Sequence, residues 1–290
     1  MAALLTNRHA RVMATAPSAI VGMIRFSIVL RESNFFPPLS GKDYIERKAL
    51  IFDGARLQRR FQLFEDICLP SLTAQSDQNF NMMLMTSRDL PVWAHDRLMN
   101  LVGDLPNVYV RAYRPLASIQ RIFKRSVFEM LDPSADITAN FRLDDDDALA
   151  SDYIERLRTH MLPENMGKIV TFSHGHQLSL SDDALQIYAD NRDCGSAGLA
   201  LVQEGRVMSI PDTLTIHCLG GHQKVGRFAP VISDATDRMY VQTANGANVT
   251  GRRGDGTVPA ISVRDLAEKL IAKFPHLDAE TLKRLHVVYP

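Results

Sequence analysis

FRLDDDDAL, residues 141–149, sets four consecutive aspartates after a short apolar segment near the middle of the chain. Carboxylates crowded this closely repel one another, and inside a fold they raise one another's pKa values. A bound Mg²⁺ or Mn²⁺ would relieve this repulsion, because hard cations prefer carboxylate oxygens. An extended backbone would turn Asp144 and Asp146 to one side and Asp145 and Asp147 to the other, at a strand end outside the core. A solvated acidic loop is the alternative interpretation, and the flanking sequence bears on the choice.

The segments before the acidic run alternate between strand and helix patterns. Short apolar stretches predict strands at residues 23–30, 81–87, 107–111 and 137–143. Apolar residues at helical spacing predict helices at residues 55–72, 92–102 and 118–131. This alternation predicts an α/β fold with a central, mostly parallel sheet flanked by helices. Ligands of such sheets bind beyond the carboxyl ends of the strands, which is where the acidic run stands.

The sequence after the acidic run is less regular. Residues 152–155, DYIE, resemble a capping box that opens a helix reaching Met161, so a strand and a helix enclose the run. Further strands are predicted at residues 168–172, 177–180, 186–189 and 213–218. Residues 195–202 fit a loop into either a strand or a helix, and residues 243–256 form a glycine-rich polar loop. Short C-terminal helices are predicted at residues 262–274 and 278–285.

Composition limits the classes of protein to consider. The chain has 33 Lys and Arg against 33 Asp and Glu, so no basic excess argues for nucleic-acid binding. Its three cysteines are widely spaced and odd in number, which indicates a reducing compartment, and we expect a cytoplasmic protein. No apolar run approaches the length of a transmembrane segment, although peripheral contact with a membrane is left open. Residues 1–22 lack a periodic apolar face and are predicted to be a disordered tail.

Several of these features together resemble a known family. A first strand near the N-terminus, an α/β N-terminal half and a D-x-D at a mid-chain strand end resemble the GT-A glycosyltransferases. FRLDDDDAL followed by DYI at residues 152–154 is more closely similar to a bacterial group of rhamnosyltransferases. The similar segments run from Arg25 through residues 69–72, 79–80 and the acidic run to residues 245–249, and so cover most of the chain.

The resemblance implies a GT-A-like fold and a metal-dependent enzyme. Such an enzyme moves a sugar, here rhamnose, from a nucleotide-diphosphate donor to a glycan or other hydroxyl acceptor with inversion. Residues 23–260 would form the glycosyltransferase domain, divided into a donor half, 23–161, and an acceptor half, 162–260. Residues 261–290 would form a C-terminal helical appendage.

The resemblance also implies a donor site. Mn²⁺ or Mg²⁺ would be held by Asp144, Asp146 and the late His222, with Asp144 and Asp145 beside the nucleotide. Arg142 would pair with a carboxylate, and His217 is interpreted as an exposed or core residue. The basic residues expected at the diphosphate lie on the helix before the acidic strand: Arg121, Lys124 and Arg125. The first strand contributes Arg25, and the turn after the second strand contributes Ser87 and Arg88 to the nucleotide pocket.

An inverting transfer needs a carboxylate that takes the proton of the acceptor hydroxyl. Asp234 and Asp237 in the acceptor half are the candidates for this base, with Asp183 behind them. A role as a loop or helix-cap residue is the alternative for each of the three.

Two other classes stay open. A sugar-phosphate nucleotidyltransferase, or another Mg²⁺-dependent phosphate enzyme, is the first; the segment after the first strand, residues 31–38, lacks the glycines that a nucleotidyltransferase usually has there. The second is a non-catalytic ion- or carbohydrate-binding protein. A calcium loop of the EF-hand type needs glycine at its sixth position, where this chain has Leu149.

Overall fold

One sheet of nine strands organises the computed structural model, which describes residues 18–30, 39–181, 184–205, 209–245 and 270–286. The strands are β1 Ile20–Arg25, β2 Asn81–Ser87, β3 Val108–Tyr113, β4 Ile137–Asp144, β5 Ala148–Leu149, β6 Ile169–Ser181, β7 Ala184–Asn191, β8 Ala200–Glu204 and β9 Val231–Asn245. The α-helices are α1 Tyr44–Ile51, α2 Gly54–Leu63, α3 Leu69–Thr73, α4 Val92–Val102, α5 Ile119–Met130, α6 Tyr153–Thr159 and α7 Ala279–His286.

The strand order shows how the two parts of the chain share one sheet. The order is β3-β2-β1-β4-β8-β6-β9-β5, and β7 pairs with β6 as well. The strands β3, β2, β1 and β4 are parallel, β8 is antiparallel to β4, and β9 is parallel to β6. Arg25 and Asp144 are register partners at the carboxyl ends of β1 and β4. The mostly parallel α/β fold predicted from the sequence is confirmed.

Helices cover both faces of this sheet. On one face Phe61 of α2 and Tyr153 of α6 pack in the larger apolar cluster, which also contains Phe141 of β4. On the other face Phe123 of α5 packs in a second cluster with Met23 of β1. Since side chains alternate along a strand, Arg142 and Asp144 point to the α5 face, opposite to Phe141.

Local periodicity predicted the first half of the fold well. The strand at residues 81–87 and the helix at residues 92–102 are observed with the predicted bounds. The predicted helix at residues 55–72 consists of α2 and α3 joined by one π-helical turn, Phe64–Cys68. The last helix is α7, and Asp278 caps it by accepting a hydrogen bond of 2.8 Å from the Thr281 N–H.

Other expectations were wrong. The first strand begins at Ile20 with fully buried Ile20 and Val21, so the predicted tail does not include residues 18–22, while residues 1–17 lie outside the described residues. The predicted strand at residues 213–218 is a loop ending in a 3₁₀ turn, Ile216–Cys218, because Thr215 caps that turn with its hydroxyl. The predicted loop at residues 243–256 begins inside β9.

Some expected elements lie partly or wholly outside the described part of the chain. Of the predicted helix at residues 262–274, the described residues 270–273 are helical. The glycine-rich segment beyond residue 245 and the candidate base Asp183 lie outside it. Within the described ranges no helix is long and apolar enough to cross a membrane.

Candidate functional site

Three strands end side by side at one edge of the sheet. The final residues are Arg25 of β1, Ser87 of β2 and Asp144 of β4. Because β1 is parallel to both neighbours, these carboxyl ends meet at the same edge, where parallel α/β sheets bind ligands. The structure therefore brings together three of the residues that the sequence predicted for a donor site.

Asp144 is held by two arginines on the α5 face. Its Oδ1 lies 3.3 Å from Nη2 of Arg25, and its Oδ2 lies 3.5 Å from Nη2 of Arg142. Burial alone would raise the pKa of Asp144, but the positive charges of Arg142 and then Arg25 hold that pKa far below its usual value. The side chain is 29% exposed, so an ionised carboxylate reaches the surface at the carboxyl edge. The predicted ion pair between Arg142 and a carboxylate is confirmed.

Asp145 and Asp146 turn to the opposite face. The extended backbone stops at Asp144, whose carbonyl oxygen accepts a turn hydrogen bond of 3.1 Å from the Asp147 N–H. The alternation of the four carboxylates expected from an extended strand is therefore wrong. Arg60 of α2 contacts both side chains: its Nε donates to Oδ2 of Asp145 over 3.0 Å and its Nη1 to Oδ2 of Asp146 over 3.1 Å. Asp145 is 0% exposed and Asp146 4%, so Asp146 does not lie outside the core.

Asp147 joins the acidic run to β9. Its Oδ1 accepts a hydrogen bond of 2.9 Å from the Thr243 N–H of β9. Its Oδ2 is buried and has no hydrogen-bond partner among the described residues. Burial, followed by the negative charges of Asp146 and Asp144, raises the pKa of Asp147 well above its usual value. The end of β9 is thus fixed directly against the acidic run.

Two histidines lie on the α5 side of the site. The ring of His217 stacks on Phe123 with centroids 3.7 Å apart and planes 4° from parallel, and its Nε2 is buried without a hydrogen-bond partner among the described residues. Burial, with the charges of Arg142 and Arg25, lowers the pKa of His217 well below its usual value and keeps the ring neutral. Nδ1 of His222 lies 2.8 Å from the carbonyl oxygen of Cys194. Burial lowers the pKa of His222 as well.

The residues as placed do not fit the expected Mn²⁺ or Mg²⁺ ion. Asp144, Asp145 and Asp146 all have arginine partners, and Asp147 faces the backbone of β9. Over the described ranges, no three His, Cys, Asp or Glu side chains are grouped so that they could hold a metal ion. The observed contact of His222 is with a backbone carbonyl rather than with a carboxylate of the run. Guanidinium groups therefore occupy the positions at which a cation was expected.

Of the three residues on α5 predicted to bind the diphosphate, two contact other residues of the chain and the third is exposed. Lys124 donates from Nζ to the carbonyl oxygen of Pro211 over 2.5 Å, and Arg125 pairs with Glu129 over 2.6 Å. Arg121 is exposed, one helical turn nearer to the start of α5. The start of α5 lies beside the segment that follows β1, because Ala117 and Leu30 form a parallel bridge. Arg121 is therefore the best placed of the three to reach a ligand at the carboxyl edge.

The end of β2 offers hydroxyl groups and a second exposed cation. The hydroxyl groups of Thr86 and Ser87 are buried and have no hydrogen-bond partner within the described part of the chain. Arg88 follows with an exposed side chain, and its backbone N–H donates to the carbonyl oxygen of Tyr113 over 2.8 Å. Side chains alternate along β2, so the Ser87 hydroxyl is on the α5 face with Asp144 and the Thr86 hydroxyl is on the other face.

Asp234 and Asp237 belong to a different set of contacts. Oδ2 of Asp234 lies 3.1 Å from Nε of Arg156 on α6 and 3.0 Å from Nε2 of His160, which follows α6 directly. Asp237 lies 2.7 Å from Nζ of Lys273, in the segment before α7. These partners stand on the α6 face of the sheet, whereas Asp144 points to the α5 face. The structure does not bring either candidate base to the acidic run.

The pKa values of these two aspartates also argue for a structural role. Burial would raise the pKa of Asp234, but hydrogen bonds from Thr236, and then from His160 and Arg156, lower it far below its usual value. Burial is likewise outweighed at Asp237 by its contacts with Lys273, so its pKa is lowered too. A general base works best with a pKa near the operating pH, which neither carboxylate has.

Asp234→Asn is expected to make the protein less sensitive to acid. Because the pKa of Asp234 is depressed in the folded state, its stabilisation is present above the unfolded-state pKa, about 3.9. That stabilisation is lost as the pH falls through this value toward the folded-state pKa. Urea unfolding at pH 7 and at about pH 3.5 should show a smaller acid-induced loss of stability in Asp234→Asn than in the wild type. An equal acid-induced loss of stability in the two proteins would contradict the depressed pKa of Asp234.

A second polar cluster lies between β7 and β9, beyond the end of the acidic run. The Tyr240 hydroxyl donates to Oδ2 of Asp190 over 3.0 Å, and Nε2 of Gln242 donates to Oγ of Ser196 over 2.7 Å. Arg192 pairs with Asp190 and donates to Gln242. Tyr240 is the register partner of Leu149 just after the run, and Thr243 of the same strand donates to Asp147, so the cluster lies close to the end of the run. Sequence reasoning missed this cluster and Arg60 alike, because their partners are distant in the chain.

The fold and this edge define an α/β protein with a charged polar site at the carboxyl ends of its parallel strands. The chain belongs to the family described as "Putative rhamnosyl transferase", whose model matches residues 19–256. The resemblance noted in the sequence is thereby confirmed. No curated protein matches the sequence significantly.

Solved structures with a similar course of the chain have very different sequences. S. aureus TarS 1–349 has 8% identity and a TM-score of 0.39, and the match covers 77% of this chain and 60% of TarS 1–349. For the same fragment in complex with UDP, the identity is 9% and the TM-score is 0.37. That match covers 78% of this chain and 60% of the fragment. A "putative nucleotide-diphospho-sugar transferase" from Desulfovibrio desulfuricans G20 has 8% identity and a TM-score of 0.36. That match covers 92% of this chain and 94% of the other. The chain thus spans 60% of the first of these structures.

Proposed function

We propose that the chain transfers a sugar from a nucleotide-diphosphate donor, bound at the carboxyl edge, to a hydroxyl group of a glycan or small acceptor. The observation that carries the proposal is the meeting of Arg25, Ser87 and Asp144 at the ends of three adjacent parallel strands. Family membership supports the class of reaction, and the family's description supports rhamnose as the sugar. We also propose transfer with inversion of the anomeric centre.

Each part of a nucleotide-sugar donor has a fitting partner at this edge. The ionised, partly exposed carboxylate of Asp144 can accept hydrogen bonds from ribose hydroxyls. Ser87 is on the α5 face with Asp144, and its buried hydroxyl can pair with the base or the ribose. Guanidinium groups bind phosphate oxygens in a bidentate manner, which suits the exposed Arg88 and Arg121 to the diphosphate. Ser87, Arg88 and Arg121, together with Asp144, form the proposed donor site.

The acceptor is proposed to bind on the far side of the acidic run. The cluster of Asp190, Arg192, Tyr240 and Gln242 offers both donors and acceptors of hydrogen bonds to hydroxyl groups. Asp147 lies between this cluster and the donor site, because it contacts β9 and follows the other three carboxylates. The donor and acceptor would therefore meet above the end of β4.

A thermal-shift comparison of UDP, dTDP, GDP and CMP tests the donor assignment. A ligand that binds only the native state raises stability by about 2.7 kcal/mol at a hundred times its Kd. For a domain of this size that gain corresponds to a rise in Tm of several degrees. We expect such a rise with at least one nucleoside diphosphate, and CMP serves as the monophosphate control. If none of the diphosphates changes Tm, the proposal fails.

A further inference from the structure

Arg60 contacts both Asp145 and Asp146, the two buried carboxylates of the acidic run that face α2. We infer that Arg60, rather than a divalent cation, holds Asp145 and Asp146 in place, so that nucleoside diphosphate binding does not require a divalent metal. The second half of this inference rests on the proposed function. Arg60 is a positioning residue in this account, since it acts through the carboxylates.

The geometry of Arg60 matches the role of a bridging cation. Its Nε and Nη1 donate to one oxygen each of Asp145 and Asp146, over 3.0 and 3.1 Å, and Nη2 also contacts Asp145. The three side chains are nearly inaccessible: 13%, 1% and 5% of their surfaces are exposed. A planar guanidinium offers a fixed fork of charged donors, so it can hydrogen-bond two adjacent carboxylates at once.

The position of Arg60 is fixed by the helix that carries it. The side chain of Asp53 caps α2 by accepting a hydrogen bond of 2.9 Å from the Arg56 N–H. Leu57, Phe61 and Leu63 of α2 are fully buried in the larger apolar cluster. A cation that replaced Arg60 would have to break a buried ion pair, and removing one partner of such a pair is strongly destabilising.

The charges of Asp144, Asp145 and Asp146 are matched without a metal. Arg25 and Arg142 contact Asp144, and Arg60 contacts Asp145 and Asp146. Asp147, the remaining carboxylate, accepts a backbone hydrogen bond from Thr243. The crowding of Asp144, Asp145 and Asp146 is therefore relieved by side chains from β1, α2 and β4. Asp147 has no such partner among the described residues, and burial and the neighbouring carboxylates raise its pKa instead.

Calorimetry on the wild-type protein tests the inference directly. UDP, dTDP and GDP are titrated in EDTA and, separately, in Mg²⁺ and in Mn²⁺. We expect the diphosphate that binds to have Kd values within about threefold of one another in all three conditions, less than 1 kcal/mol of difference. Binding that needs metal, with affinity at least about tenfold weaker in EDTA, overturns the inference and leaves the proposed function intact. No binding in any condition overturns the proposed function, and this inference with it.

A variant separates the role of Arg60 from that of the nucleotide. Arg60→Gln leaves two adjacent buried carboxylates without their shared counter-charge, so we expect a lower Tm that Mg²⁺ partly restores by several degrees. Mg²⁺ should change the Tm of the wild type by less than about one degree. Arg59→Gln is the matched control, because Arg59 is on the same helix and contacts Gln62 and the Leu285 carbonyl instead. Equal Mg²⁺ shifts in wild type and Arg60→Gln, zero included, contradict the inference.

Discussion

Asp144→Asn is expected to weaken nucleoside diphosphate binding by about tenfold to a hundredfold, the scale of a lost hydrogen bond to a charged group. The amide keeps the shape of the side chain but removes the negative charge between Arg25 and Arg142. Two guanidinium groups would then face each other without a counter-charge, and the ribose would lose its ionised acceptor. Calorimetry with the diphosphate that binds the wild type measures the effect.

Asp104→Asn provides the control for this prediction, because Asp104 is an exposed aspartate away from the sheet's carboxyl edge. Its affinity should equal that of the wild type. If Asp144→Asn binds the nucleotide as tightly as Asp104→Asn does, Asp144 does not contact the donor, and the site must be placed elsewhere.

A chain that starts at Gly22 is expected to lose its folded structure. Ile20 and Val21 are fully buried and begin β1, which pairs with β2 on one side and β4 on the other. Losing one large buried side chain commonly costs about 2–5 kcal/mol, and a domain has only about 5–15 kcal/mol in total. Circular dichroism and the soluble yield measure the outcome.

A chain that starts at Ser18 is the matched comparison. It retains both buried side chains and the hydrogen bond of 3.1 Å from the Ser18 hydroxyl to the Asn79 carbonyl oxygen. We expect this longer chain to fold and to melt cooperatively. If the two truncated proteins melt within about two degrees of each other, the first two residues of β1 do not contribute to the core as described.

The early strands were predictable because their signals are local. β2 is buried along its whole length and reads as an apolar run, so its bounds follow from the sequence. β9 was missed because its first half carries Ser233, Asp234, Thr236 and Asp237, which resemble a loop. Its strand conformation depends on pairing with β6, some sixty residues earlier, and on the α6 partners of Asp234. Neither is visible in a local window.

The residues of the candidate site likewise include some that the sequence predicts and others that it does not. Residues at the ends of parallel strands, such as Arg25, Ser87 and Asp144, could be predicted because the topology alone places them at one edge. Arg60 could not, since it stands 85 positions before Asp145 and a basic residue on a helix is usually exposed. The expected metal followed from charge repulsion, and the sequence does not show whether a cation or an arginine relieves it.

The release of nucleoside diphosphate from nucleotide sugars tests the central claim most directly. The protein is incubated with UDP-, dTDP- and GDP-sugars, rhamnose among the sugars, with water or a simple glycan as acceptor, and the products are separated by chromatography. The account predicts that one donor yields its nucleoside diphosphate, and that Asp144→Asn slows this release by about tenfold or more. Release of pyrophosphate from a nucleoside triphosphate and a sugar phosphate, or diphosphate release that Asp144→Asn leaves unchanged, would contradict it.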